Sequence, residues 1–89
     1  MMTHEIKLKQ DFVEAVSSGR KSFEVRKNDR GYQTGDLIRF LPLDEDGDPN
    51  YDSPLAAKRF RITYMLSGWG IEKDYVVFAI REEEGAADD

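Results

Sequence analysis

From Lys58 to Leu66 the chain alternates without a break, with Phe60, Ile62, Tyr64 and Leu66 on one face and Arg59, Arg61 and Thr63 on the other. A period of two marks a half-buried β-strand, because successive side chains leave a strand on opposite sides. Such a strand needs partners, and the remaining sequence supplies them. His4 to Leu8 alternates in the same way, Leu37 to Leu43 reads as another strand, and Tyr75 to Arg81 is rich enough in Val, Phe and Ile to lie centrally in a sheet. One helix is expected, opening at Gln10 or Asp11. Asp11 serves as its N-cap, Glu14 stands three residues on as in a capping box, Phe12, Val13 and Val16 form the apolar stripe, and Gly19 takes the left-handed position that ends it.

About five short strands with one helix after the first predict an α+β, mainly β fold, a small mixed β-barrel that the helix plugs or flanks. Closure would remove the exposed edges of a five-stranded sheet. At 89 residues the chain holds one modest core, so a single domain over residues 4–82 is expected, followed by an acidic disordered tail over 83–89.

The remaining strand is the unusual one. Between Gly19 and Arg30 seven charged side chains crowd around Phe23 and Val25. Alternation puts Phe23 and Val25 on one face and Glu24 and Arg26 on the other, so a carboxylate and a guanidinium point the same way, flanked by Lys21 and Arg30. If that face lines a groove, it offers a ligand one acceptor and a fork of donors. The net charge of −5 does not exclude a polyanionic partner, because residues 40–57 and 82–89 each carry five acids and no base. The rest of the chain sums to about +5, which leaves room for a basic patch.

Several chemistries are excluded or disfavoured. There is no cysteine, hence no disulfide or thiolate metal site, and no apolar run long enough to span a membrane, which points to a cytoplasmic protein. His4 has no second histidine with which to build a metal site or a histidine dyad. The run Asp44-Glu45-Asp46-Gly47-Asp48 hints at calcium, but Pro49 and Leu55 stand where an EF-hand loop needs glycine and glutamate, so a solvated acidic loop is expected. Asn28 and Asp29 suit a turn, and Arg30, which a turn does not need, suits a ligand. Trp69, between two glycines, is either a stacking platform or a lid on the barrel end, the lid being favoured; Tyr32 and Tyr51 are weaker stacking candidates.

Gly19, Lys21, Glu24 and Arg26 also reproduce the pattern G-x-K-x-x-E-x-R, and in this the chain resembles the ASCH domains, which share a PUA-like β-barrel. The continuation Arg26-Lys27-Asn28-Asp29-Arg30, then Gly35-Asp36, Ile62-Thr63-Tyr64 and Tyr75-Val76-Val77, is similar to a small bacterial and phage-type branch of that superfamily, itself of unknown function. The resemblance spans residues 4 to 82 and implies an RNA-binding cleft lined by Lys21, Glu24 and Arg26. The same segment is similar to small bacterial amidohydrolases that deacylate N4-acetylcytidine with a motif lysine and a nearby threonine. Lys21 matches the lysine, but Glu24 stands in the threonine's place, and a carboxylate does not replace a hydroxyl activated by an amine.

The resulting expectation is a monomeric, non-catalytic domain that binds RNA or a nucleotide-like ligand without cofactor or metal. Lys21, Glu24, Arg26, Asn28, Asp29 and Arg30 are its candidate ligand contacts, Arg59 and Arg61 extend the basic track, and Trp69 stacks. The alternatives are an amidohydrolase of acylated nucleosides and a protein-interaction module with an exposed apolar patch.

Overall fold

A computed structural model describes residues 1–83. The inward-facing side chains of the alternating segments dictate the sheet. Strand β1 (Thr3–Leu8) buries His4, Ile6 and Leu8, and helix α1 (Gln10–Ser17) follows it. Strands β2 (Phe23–Lys27), β3 (Leu37–Pro42), β4 (Phe60–Leu66) and β5 (Tyr75–Glu82) complete one five-stranded sheet in the order β1-β3-β4-β5-β2. Only β1 and β3 run parallel; the other neighbours are antiparallel. The sheet curls into a half-barrel around Ile38, Phe40, Phe60, Ile62, Val76, Phe78 and Ile80, with Val16 of the helix and Leu55 of a short 3-10 turn (Pro54–Ala57) packed into the same core. The expected mainly β architecture with one helix therefore holds. No helix among the described residues is long and apolar enough to cross a membrane.

The curl stops short of a closed ladder, because β1 and β2 are the two ends of the strand order. Two guanidinium groups bridge the gap instead. Arg26 Nη2 donates to the Lys7 carbonyl at 2.7 Å and Arg30 Nη1 donates to the Glu5 carbonyl at 2.6 Å. Residues two apart on a strand present their carbonyls to the same side, so the arginines satisfy successive acceptors on the free edge of β1.

Local chemistry departs from expectation at the start of the helix. Lys9 is the N-cap and makes no side-chain capping bond, while Asp11 lies inside the first turn, where its charge favours the helix dipole. Glu14 does not close a capping box and pairs with Arg20. Gly19 ends the helix at φ +83° as expected, donating to the Val16 carbonyl at 3.1 Å. A Cβ there would meet no neighbour, so Gly19→Ala is expected to cost only backbone strain, about 1 kcal/mol in chemical denaturation, with the fold unchanged.

The regular alternation of β4 conceals a bulge. Ile62 pairs with Ile80 but Tyr64 pairs with Ala79, leaving Thr63 as the extra residue. Beyond it the faces exchange: Met65 turns in against the core, while Tyr64 and Leu66, expected to share a buried face with Phe60 and Ile62, point outward. Trp69 does not cap the barrel either. It stands 89% exposed in the β4–β5 loop with φ 55°, between Gly68 and Gly70. Tyr32 is the reverse case, buried between His4 and Phe78 with ring centres 4.7 and 4.9 Å away, so it offers no stacking surface.

The charged end of the chain is ordered further than expected. Strand β5 includes Glu82, and Glu83 accepts from Arg61 Nη2 at 2.8 Å while its backbone N–H donates to the Arg59 carbonyl. Arg61 holds the Glu83 carboxyl below its usual range. The rest of the expected disordered tail, residues 84–89, lies outside the described residues.

Candidate functional site

Along β2 the alternation is as expected, but its sense is unusual for a sheet. Glu24 is buried and Arg26 half-buried, whereas Phe23 and Val25 are exposed. Burying a carboxylate costs several kcal/mol unless it is paired in good geometry, and here both oxygens are engaged. Lys21 Nζ donates to Oε2, and Arg26 Nε donates to Oε1 at 2.9 Å. Lys21 also donates to the Phe23 carbonyl at 2.9 Å, and its ammonium sits 5.2 Å from the ring centres of both Phe12 and Phe23. The positioning is local in origin. The chain leaves the helix at Gly19 and returns the Lys21 N–H to the Ala15 carbonyl, 2.9 Å away, which sets Lys21 over the start of β2.

Lys21, Glu24 and Arg26 thus converge as the sequence suggested. They line an open groove of about 870 Å³ between the end of β1, the helix and the free edge of β2, within the usual range of ligand pockets, roughly 300–1,000 Å³. Lys7, Lys9 and Arg20 add three more cations, and Phe12, Phe23, Leu8, Val25 and Leu43 supply apolar walls. Among the described residues Glu24 is the groove's one carboxylate. Among the described residues no hydroxyl, thiol or imidazole lines it.

The other candidates lie elsewhere. Arg30 reaches across the seam to β1 beside the groove. Asn28 builds the turn, its Oδ1 accepting from the Tyr32 N–H at 3.0 Å, and faces a second hollow of about 500 Å³ with Lys27, Ser67, Asp74 and Tyr75. Asp29 is exposed in that turn, outside the groove lining. Arg61 is occupied by Glu83 and by the Gly35 carbonyl at 2.8 Å, and neither it nor Arg59 lines the groove. The basic track expected from them does not reach the site. Asp44 uses its carboxylate to accept the Asp46 and Asp48 N–H groups, each at 2.9 Å, which is loop construction; among the described residues no acid or histidine cluster suited to a metal occurs.

Sequence reasoning missed Lys7, Lys9, Arg20 and the two phenylalanines as groove residues. The available signal was Phe12, an aromatic on a two-turn helix immediately preceding the motif. It also missed a buried pair, His4 Nε2 with Asp36 Oδ2 at 2.8 Å. Asp36 accepts further from the Met2 and Gln33 N–H groups at 3.1 Å. Burial would raise its pKa, but the hydrogen bonds from His4, Met2 and Gln33 outweigh that and hold it below the usual carboxylate value of 3.8. The pair is sealed from solvent, so it ties β1 to the loop before β3 and offers no site for a ligand.

A family model described as Domain of unknown function (DUF3850) matches residues 3–80. No curated protein matches. Among solved structures, the crystal structure of hypothetical protein PH0355 superposes with a TM-score of 0.58 at 15% identity, covering 93% of this chain and 100% of that one. At that identity the likeness establishes a shared fold alone.

Proposed function

The chain belongs to the family described as Domain of unknown function (DUF3850), and from the chemistry of its groove we propose that it binds single-stranded RNA or a nucleotide-like ligand without transforming it. One observation carries this reading. In a chain of net charge −5, five cationic side chains and two exposed phenylalanine rings line a single groove. Its carboxylate is already tied to two of those cations. Cations beside flat aromatic surfaces suit phosphates linked to bases, which stack on any π-face. The resemblance of Gly19, Lys21, Glu24 and Arg26 to the ASCH pattern supports the same reading.

The roles divide by what each group already does. Glu24 and Arg26 are committed to each other and to the seam, so they shape the groove. Lys7, Lys9 and Arg20, all exposed, are the phosphate contacts, Arg20 by exchanging its solvent-exposed pair with Glu14 for a phosphate, and Phe12 and Phe23 hold bases. Among the described residues no hydroxyl or imidazole lines the groove with Lys21, and its ammonium is turned to Glu24 and the Phe23 carbonyl, which favours binding over acyl transfer.

Anisotropy titration of a labelled single-stranded RNA pool tests this. Affinity is expected to fall with salt at a slope of roughly −0.7 per phosphate contact, near −2 for the three rim cations. Lys9→Glu is expected to weaken binding about tenfold and to flatten that slope. Absence of salt-dependent binding to any single-stranded or structured RNA would overturn the reading.

A further inference from the structure

The outer face of β2, β5 and β4 carries an apolar track that runs on beyond the groove. The strand register lays it out in rows. Phe23 lies opposite Ala79, which lies opposite Tyr64; one step along, Val25 lies opposite Val77, which lies opposite Leu66. The bulge at Thr63 creates this face, since unbroken alternation would have buried Tyr64 and Leu66. Phe23 is 44% and Tyr64 66% exposed. Two strand spacings, roughly 9.5 Å, separate them, and the small Ala79 between leaves both rings uncovered. The result is a row in which two exposed aromatic residues flank a methyl group.

Charge selects the occupant. On β2 the row continues to Lys27, and on β5 it continues to Arg81 at the opposite end. The outward strand positions of β2 and β5 carry these two cations, and the carboxylate of Glu83, just past Arg81, is already bound to Arg61. A second copy of the chain laid on this face would set cation against cation. A ligand with flat apolar faces joined by anionic links matches both features.

The track is also continuous with the groove, because Phe23 and Val25 belong to both. At its far end Leu66, Lys27 and Tyr75 border the hollow of about 500 Å³. Trp69 stands exposed in the adjoining loop, held with positive φ, a conformation that non-glycine residues seldom adopt.

We infer that this sheet face is a second, base-stacking subsite for single-stranded nucleic acid, over which a strand leaving the groove lays successive bases against Phe23, Tyr64 and Trp69. The inference rests on the groove reading for the identity of the polymer. It adds a length requirement that the groove alone does not impose. Short ligands occupy the groove, and longer ones gain affinity from the face.

The test compares labelled oligonucleotides of about two and about eight nucleotides binding to the full chain, with Trp69, the single tryptophan, as an internal fluorescence reporter. Tyr64 is exposed and lies outside the core cluster, so Tyr64→Ala is expected to fold. It should weaken the long oligonucleotide about tenfold and leave the short one unchanged, while Tyr64→Phe, which keeps the ring, should restore wild-type affinity. Quenching of Trp69 is expected with the long ligand only. Equal affinity of wild type and Tyr64→Ala for the long ligand would overturn the subsite while leaving the groove standing, provided the short ligand still binds in a salt-dependent way. Failure of both lengths to bind would remove the groove reading and this one with it. Concentration-dependent dimerisation abolished by Tyr64→Ala, with oligonucleotide affinity untouched, would assign the face to a second copy and overturn the subsite.

Discussion

Replacing Glu24 with alanine is expected to lower the unfolding free energy by about 3 kcal/mol, read from urea denaturation. The buried carboxylate is the common partner of Lys21 and Arg26, whose side chains are 17% and 27% exposed. Without it, two cations face one another in a partly desolvated site. Breaking a fully buried pair costs about 3–5 kcal/mol, and the partial exposure of both cations places the effect at the lower end. In a domain whose whole stability is on the order of 5–15 kcal/mol, that is a large share. The triple variant Lys21→Met, Glu24→Leu, Arg26→Met removes all three charges together and is expected to recover most of the loss, because apolar residues of similar volume replace a buried ion network at little net cost. A triple variant as unstable as Glu24→Ala would show that the bonds from Arg26 to β1, not the charge balance, hold the half-barrel together.

Asp36→Asn is expected to cost about 2 kcal/mol near neutral pH, since the new amide turns a donor toward at least one of the His4, Met2 and Gln33 donors that Asp36 now accepts. The pH dependence has a definite sign. The folded pKa of Asp36 lies below its unfolded value near 3.8, so its contribution is complete above about pH 5 and is lost as pH falls through the folded value. Wild type and Asp36→Asn should therefore differ most at neutral pH and converge in acid. A difference in thermal midpoint that is constant from neutral pH into strong acid would contradict this assignment.

What could be read from the sequence was whatever has a local cause. Alternation located β1 and β2, and the run of Val, Phe and Ile located β5, to within a residue or two, Gly19 marked the helix end because only glycine takes that backbone cheaply, and the crowding of Lys21, Glu24 and Arg26 marked the groove. What could not be read depends on partners distant in the chain. Phe60, Ile62, Tyr64 and Leu66 alternate without fault, and the bulge that turns the last two outward arises from pairing with β5. The inward turn of Glu24, with Phe23 and Val25 left outside, follows from the carbonyls of β1 that receive Arg26 and Arg30. His4 and Asp36 are 32 residues apart, and neither carries a mark of the other. Lys7 and Lys9 border the groove because the bond from Arg26 to the Lys7 carbonyl brings β2 to the end of β1.

The strand order also governs when the molecule can be completed. Strands β1 and β2 precede the others in the sheet, yet they occupy its opposite ends, and among the described residues β2 is paired only with β5, the last of the five in sequence. A nascent chain lacking β5 has no template for β2, so neither the free edge that walls the groove nor the guanidinium bridges to β1 can form. Pairings this distant in sequence slow folding, because loop closure must precede the contacts that stabilise it. A groove whose lining comes almost wholly from the stretch between Lys7 and Arg26 thus waits for β5, some fifty residues further along, before it can take shape.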